Sequence, residues 1–415
     1  MKSALILTTL LALPFAELAA KDWPWWRGPN RDGIANPDQN PPITFSETEN
    51  VRWVADVPGR GHGSPIVFGE RVYLAAADDD IQKQWVLCYD RATGKPIWRA
   101  TIHEGGFPEK MNKKASNASS SVACDGERLF ISFLHDKAVY TTALDMDGKQ
   151  LWQTKITDYT LHQGYGSSPA IYKDLVIVSA DNKQGGAVCG LNRNDGTIVW
   201  RQERPKLPNY PSPIILTAAG NEQLILTGCE KIVSYDPLTG NVNWETEGAT
   251  TECVTSTVTD GKHVFTSGGY PKNHVSAIAA DGSGKLIWEN KSRVYVPSMY
   301  IRDGHLYGMM DAGVLVCWSA ATGERLWRQR MGKPFTATPV PVGDLVYAAS
   351  EMGNFYVAKA TPEGCEIIAE NQLGDQIYAT PVIVNSQIFV RAAHDEDNDR
   401  RVEKLYCLEL SREQK

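Results

Sequence analysis

Asp236-Pro237-Leu238-Thr239-Gly240-Asn241-Val242-Asn243-Trp244 reads as a tight turn and the strand it feeds. Gly240 suits the turn because it reaches positive φ without a Cβ clash, and Val242 and Trp244 fit a pleated, half-buried surface. The spacing of glycine and tryptophan four residues apart recurs at Gly94 and Trp98, Gly148 and Trp152, Gly196 and Trp200, Gly284 and Trp288, and Gly323 and Trp327. From Trp98 to Trp327 the mean period is about 46 residues, the length of one four-stranded propeller blade.

Each unit opens on Ser/Thr-Pro or a serine-rich stretch and closes on this turn. In the third unit Ser168 to Tyr172 is expected as the innermost strand, Leu175 to Ser179 as the second and Ala187 to Asn192 as the third. Ile198-Val199-Trp200 is then the outermost. Two degenerate units follow, Thr338-Pro339 to Ile368, with Ile368 in the tryptophan's place, and Thr380-Pro381 to Leu408. The last lacks a fourth strand, and Val51-Arg52-Trp53 precedes the first unit without strands of its own. Joining the two gives an all-β, eight-bladed propeller of four-stranded antiparallel blades, closed by an N-terminal strand that removes the exposed edges. The expected organisation is a signal peptide at 1–20, a Trp-rich extended segment at 21–50, the propeller at 51–410 and a tail at 411–415. Trp53, Trp98, Trp152, Trp200, Trp244, Trp288 and Trp327 are expected as structural docking residues, large apolar plugs that close each blade.

Composition agrees with many short strands: 35 glycines and 12 tryptophans stand beside only 8 methionines in 415 residues. Lys2, the apolar stretch Ala4 to Phe15 and the small residues Leu18-Ala19-Ala20 read as a leader for export, so a periplasmic or secreted protein is expected. No apolar run reaches the roughly 20 residues of a membrane-crossing helix. The first cysteine is Cys88, too late for an acylated anchor. A net charge of -7 without a basic stripe argues against nucleic acid. The eight cysteines include no C-x-x-C and no adjacent pair, and Cys88, Cys317 and Cys407 fall at matching strand positions, as buried free thiols would.

These units resemble the pyrroloquinoline-quinone-like repeat, also called the tryptophan-docking repeat, over about Val51 to Leu410. The resemblance implies one of two branches: quinoprotein dehydrogenases, or non-enzymatic propellers similar to the outer-membrane assembly lipoprotein of Gram-negative bacteria. Trp23-Pro24-Trp25-Trp26-Arg27-Gly28-Pro29-Asn30-Arg31-Asp32-Gly33 also looks like the start of exported propellers of planctomycete-type bacteria. In the dehydrogenase branch the quinone is covered by a ring of adjacent disulfide-bonded cysteines and held with calcium, in longer chains. This sequence has no such pair, so no cofactor is expected, pyrroloquinoline quinone with calcium belonging only to the enzyme alternative.

Asp181, Glu230, Asp311 and Glu351 fall in hairpins facing one side and are candidate bases, with solvated loop carboxylates as the plainer expectation. No catalytic residue is assigned. His394-Asp395-Glu396-Asp397-Asn398-Asp399 lacks the ligand spacing of a calcium loop and reads as a solvated hairpin, and no metal site is expected. Gly59-Arg60-Gly61-His62-Gly63 leads into a strand and is not a phosphate loop. The expected role is therefore binding or scaffolding in the cell envelope, by a monomer, with a protein or polysaccharide partner. A quinoprotein dehydrogenase and a metabolite sensor are the alternatives. The binding surface is expected on the face where connections between blades emerge, with His62, Asn117, Tyr165, Tyr210, Glu252, Tyr295, Phe335 and Tyr378 ringing the channel mouth.

Overall fold

The computed structural model describes residues 21–332, 334–396 and 400–411. The expected leader lies outside the described residues, as do Asp397, Asn398 and Asp399 of the acidic run. Every described sheet has four strands, and there are eight: blades 1 to 8 at 66–104, 123–158, 170–204, 214–247, 258–290, 300–330, 340–372 and 382–408, the last completed by Val51–Val57. No described residue is helical. In blade 3 the strands are Ala170–Tyr172, Leu175–Ser179, Gly186–Asn192 and Ile198–Arg204, in that order from the channel outward. Val51–Val57 pairs antiparallel with Arg400–Leu408, Val51 opposite Leu408 and Trp53 opposite Cys407, so the ring closes as the repeat count requires.

The outermost pair of every blade carries a register shift, and the extra residue precedes the tryptophan position. Such a bulge adds local twist and re-aims the side chain after it. The tryptophan thereby turns towards the next blade and plugs the seam between the two. A Cβ on Gly240, the turn glycine of blade 4, would lie 2.4 Å from the Trp200 ring of blade 3. Trp200 Nε1 donates to the Pro237 carbonyl of the same turn at 3.2 Å. Trp98, Trp152, Trp288 and Trp327 likewise donate to a turn carbonyl of the following blade, at 2.7–3.1 Å.

Two seams differ. Trp244 donates instead to Gln223 Oε1 at 2.8 Å, and Gln223 Nε2 takes the Ala280 carbonyl, the acceptor the indole would have used. In blade 7, Val357 pairs with Ala369 and Ala358 with Ile367, so Ile368 is the bulged residue and is 44% exposed. Ile368 therefore does not replace the tryptophan; Ala369 holds that register. The N-terminal segment supplies a ring there: Phe45 lies edge-on against Phe355, 5.1 Å between centroids, and its N–H donates to Asn371 Oδ1 at 2.9 Å.

From Lys21 to Asn40 the N-terminal segment crosses the face opposite the channel mouth, and beyond it the chain turns into the seam between blades 7 and 8, where Glu47 accepts the Gly374 N–H. Trp23 bridges to Val67 of blade 1, Cys124 of blade 2 donates to the Pro24 carbonyl, and Ala35 donates to the Pro341 carbonyl of blade 7. All eight cysteines are free thiols, seven buried and Cys365 half-buried.

Candidate functional site

The innermost strand of each blade is entered through a Ser or Thr: Ser64, Ser121, Ser168, Ser212, Ser256, Ser298, Thr338 and Thr380. Side chains two apart on extended backbone share a face, and here that face is the channel wall. Six of these residues pass a hydrogen bond to the next blade, the backbone N–H of one donating to the hydroxyl of its neighbour. The links run from Ser64 through Ser121 and Ser168 to Ser212, and from Ser256 through Ser298 and Thr338 to Thr380, at 2.8–3.0 Å. This girdle satisfies backbone donors where the inner strands converge too closely for a ladder. At Ser256 the hydroxyl instead receives Trp26 Nε1, 2.8 Å away, so the N-terminal segment puts an indole into the channel floor.

Two residues before each hydroxyl comes a second layer: His62, Ser119, Gly166, Tyr210, Val254, Val296, Thr336 and Tyr378. Both layers, Ser256 apart, line one cavity of about 380 Å³ above Trp26, together with Tyr165, Tyr295 and the rim residues Asn112, Lys114 and Gln163. Five of the eight expected mouth residues thus meet in one place: His62, Tyr165, Tyr210, Tyr295 and Tyr378. His62 stacks on Tyr378 at 4.5 Å, and Tyr165 donates to the Ser179 carbonyl at 3.1 Å.

The other three are placed elsewhere. Asn117 is turned aside by its bond from Nδ2 to Asp79 Oδ1, 2.8 Å, in a hairpin of blade 1. Phe335 is 1% exposed and packs beside Tyr356 in the core between blades 6 and 7, because an apolar ring gains more there than at a wet mouth. Glu252 is buried behind the wall, where its carboxylate meets His162 Nε2 at 3.0 Å and accepts from the Tyr295 hydroxyl at 3.4 Å. Their places are taken by Ser119, Thr336 and Val254, which an offset of two residues from each start hydroxyl identifies in the sequence.

Charge in the cavity is sparse. Lys114 reaches over the mouth and gives its ammonium to both oxygens of Glu351, at 2.9 and 2.7 Å, while Thr336 Oγ1 donates to the same carboxylate at 2.6 Å. Burial, reinforced by Arg60, Arg391 and Arg401, holds His62 well below the usual imidazole range, so it is neutral. No carboxylate lines the cavity.

The family described as outer membrane protein assembly factor BamB matches residues 82–271 and 271–362. The chain belongs to this family. BamB of Burkholderia pseudomallei is 26% identical over 353 residues, 81% of this chain and 84% of that one. BamB of Nitrosomonas eutropha is 24% identical over 258 residues, 59% of this chain and 54% of that one. Among solved structures, BamB from Moraxella catarrhalis superposes with a TM-score of 0.60 at 15% identity, over 85% of this chain and 95% of that chain. A europium-containing methanol dehydrogenase superposes with 0.67 at 13% identity, over 94% and 99%. At such identities both structures show the eight-bladed fold alone.

In this BamB-family chain the four hairpin carboxylates are mostly not solvated, which corrects the plainer expectation. Asp181 is buried in a two-pronged pair with Arg204, 3.0 and 3.1 Å, and accepts from Asn209 Nδ2 at 3.0 Å. Asp311 accepts the Tyr295 N–H at 2.9 Å, and burial raises its pKa. Glu351 is the partner of Lys114; only Glu230 is an exposed loop acid. Asp181, Asp311 and Glu351 each fix a loop. Among the described residues no three His, Cys, Asp or Glu side chains gather as a metal site would require.

Proposed function

We propose that this chain is an exported, non-catalytic propeller that binds a protein partner in the cell envelope through the loop face around its channel mouth. The observation that carries the reading is three large apolar side chains on hairpins of that face: Ile81 of blade 1, 56% exposed, Tyr270 of blade 5, 55%, and Met352 of blade 7, 52%. Apolar side chains held out on loops of a rigid ring are suited to desolvation by a partner. The relatives' name, outer membrane protein assembly factor, supports a protein partner in the envelope. The expected leader supports export, and no described helix is long and apolar enough to cross a membrane.

The dehydrogenase alternative finds little in these residues. A quinone held with calcium calls for carboxylate donors within the channel, and Glu252 and Glu351, neither of which lines the cavity, are each held by another side chain, His162 and Lys114. No cysteine neighbours another to cover a ring. Recovery of an envelope protein by the intact chain, and its loss when Ile81, Tyr270 and Met352 are all changed to Asp with the melting curve retained, tests the proposal.

A further inference from the structure

The channel cavity has a chemistry of its own, separate from the partner that the rim loops take. Ser121, Ser168, Ser212, Ser298, Thr338 and Thr380 each use the hydroxyl oxygen to accept a backbone N–H. A hydroxyl has one proton to donate besides the lone pairs it offers. Among the described residues no protein group accepts any of these six protons, so the wall presents a ring of O–H donors to whatever fills the channel. Above that ring stand the half-buried rings of Tyr210, Tyr295 and Tyr378, and below it the Trp26 indole. Asn112 and Gln163, joined at 2.5 Å, add amides at the rim.

The charge pattern narrows the ligand. Among the described residues Lys114 is the one cation lining the cavity, and both oxygens of Glu351 already hold it. An anion entering would lose its water shell without a free counter-charge, which is costly. A neutral molecule that is apolar on its ring faces and rich in oxygen at its edges meets no such penalty. Its faces would lie on aromatic rings and its oxygens would accept from the hydroxyl ring.

We propose that the channel binds a neutral saccharide of one or two rings, non-covalently, between the tyrosine layer and the Trp26 floor. The volume, about 380 Å³, lies at the lower end of the roughly 300–1,000 Å³ of small-molecule pockets, which limits the ligand to that size. Trp26 doubles as a reporter, since a ring settling over an indole changes its emission.

Cellobiose, maltose and N,N′-diacetylchitobiose are titrated into the full chain, with glucuronic acid as the charged comparison, followed by tryptophan fluorescence and calorimetry. Saturable binding of at least one neutral disaccharide, with glucuronic acid at least about tenfold weaker, is the expected result. Tyr210→Ala should weaken that binding roughly tenfold with the melting curve unchanged. Should Tyr210→Ala fail to fold, Tyr295→Ala makes the same test. No saturation by any of the three up to about 10 mM, glucuronic acid binding as tightly, or affinity untouched by loss of a tyrosine would each overturn the proposal. None of these outcomes bears on partner capture by Ile81, Tyr270 and Met352, which lie outside the cavity.

Discussion

The ring of Trp53 occupies the space into which a Cβ on Gly94 would project, 2.4 Å away, and its Nε1 donates to the Arg91 carbonyl at 2.8 Å. Trp53 stands on the strand that completes blade 8 and Gly94 on the turn of blade 1, so this single contact joins the two ends of the ring. Arg52 reinforces it, donating through Nε to the Ala92 carbonyl at 3.1 Å and pairing with Glu409.

Gly94→Ala is therefore expected to destabilise far more than Gly69→Ala. Both glycines have positive φ, 70° and 55°, so each alanine bears the strain of about 1–2 kcal/mol for a left-handed residue. Around Gly69 the space for a Cβ is open, whereas at Gly94 the indole must move. Chemical denaturation should show an additional loss of about 2 kcal/mol or more for Gly94→Ala. Equal losses would mean that the tryptophan does not dock on the turn.

Gln223 should behave as a core residue although it is polar. It accepts from the Trp244 indole at 2.8 Å and from Ser234 Oγ at 2.7 Å, and donates to the Ala218 and Ala280 carbonyls at 3.0 and 3.1 Å. Gln223→Leu keeps the bulk and strands these groups, at about 1–3 kcal/mol for each left unsatisfied. Trp200→Phe, which removes one indole bond at a seam of the ordinary kind, should cost less. The reverse order, read from denaturation midpoints, would refute the relay.

The repeat made the ring legible because a glycine turn followed by tryptophan is forced by one packing requirement, repeated at most of the seams. Even the exchange of strands between the chain's ends follows from counting. Blade 7 misled because its turn is reshaped: the ladder runs on to Thr361 opposite Gly364, so the bulge common to all blades falls one residue later after the glycine, exposing Ile368 and placing Ala369 where the tryptophan would stand. At the mouth, counting from the start hydroxyls found His62, Tyr210 and Tyr378 at the offset of two, and Tyr165 and Tyr295 one residue further out. It failed at Asn117, Glu252 and Phe335, whose positions are set by Asp79, His162 and Tyr356 on other hairpins and strands. The Trp26 floor was not legible, since an extended segment without a repeat carries no signal of where it crosses the ring.

Acid should loosen the fold through its buried histidines. His103 lies flat on His135 at 4.2 Å, with Nδ1 2.8 Å from Gln84 Oε1 and Nε2 3.1 Å from Gln153 Nε2, so both nitrogens suit the neutral ring. Burial, with His135 adding to it, lowers its pKa to about 3; burial takes His274 to about 4. In the unfolded chain both titrate near 6.5. Their contribution is thus complete above about pH 6.5 and is lost as pH falls from there towards 3, where the unfolded chain binds more protons. The melting temperature should fall between pH 6.5 and 4, and His103→Gln should reduce that slope by close to one proton. An unchanged slope would place the proton elsewhere.

Site-specific photo-crosslinking in cells tests the binding face most directly. A photoreactive residue is placed in turn at positions 81, 270 and 352 on the loop face, and at 199 and 286 on the outer waist. Val199 and Leu286 are as exposed as the loop-face residues, at 55% and 52%, but lie on outermost strands away from the mouth. Adducts to one envelope protein from the three loop-face positions and none from the waist are expected. Adducts from 199 and 286 with none from 81, 270 or 352 would contradict recognition through the mouth face.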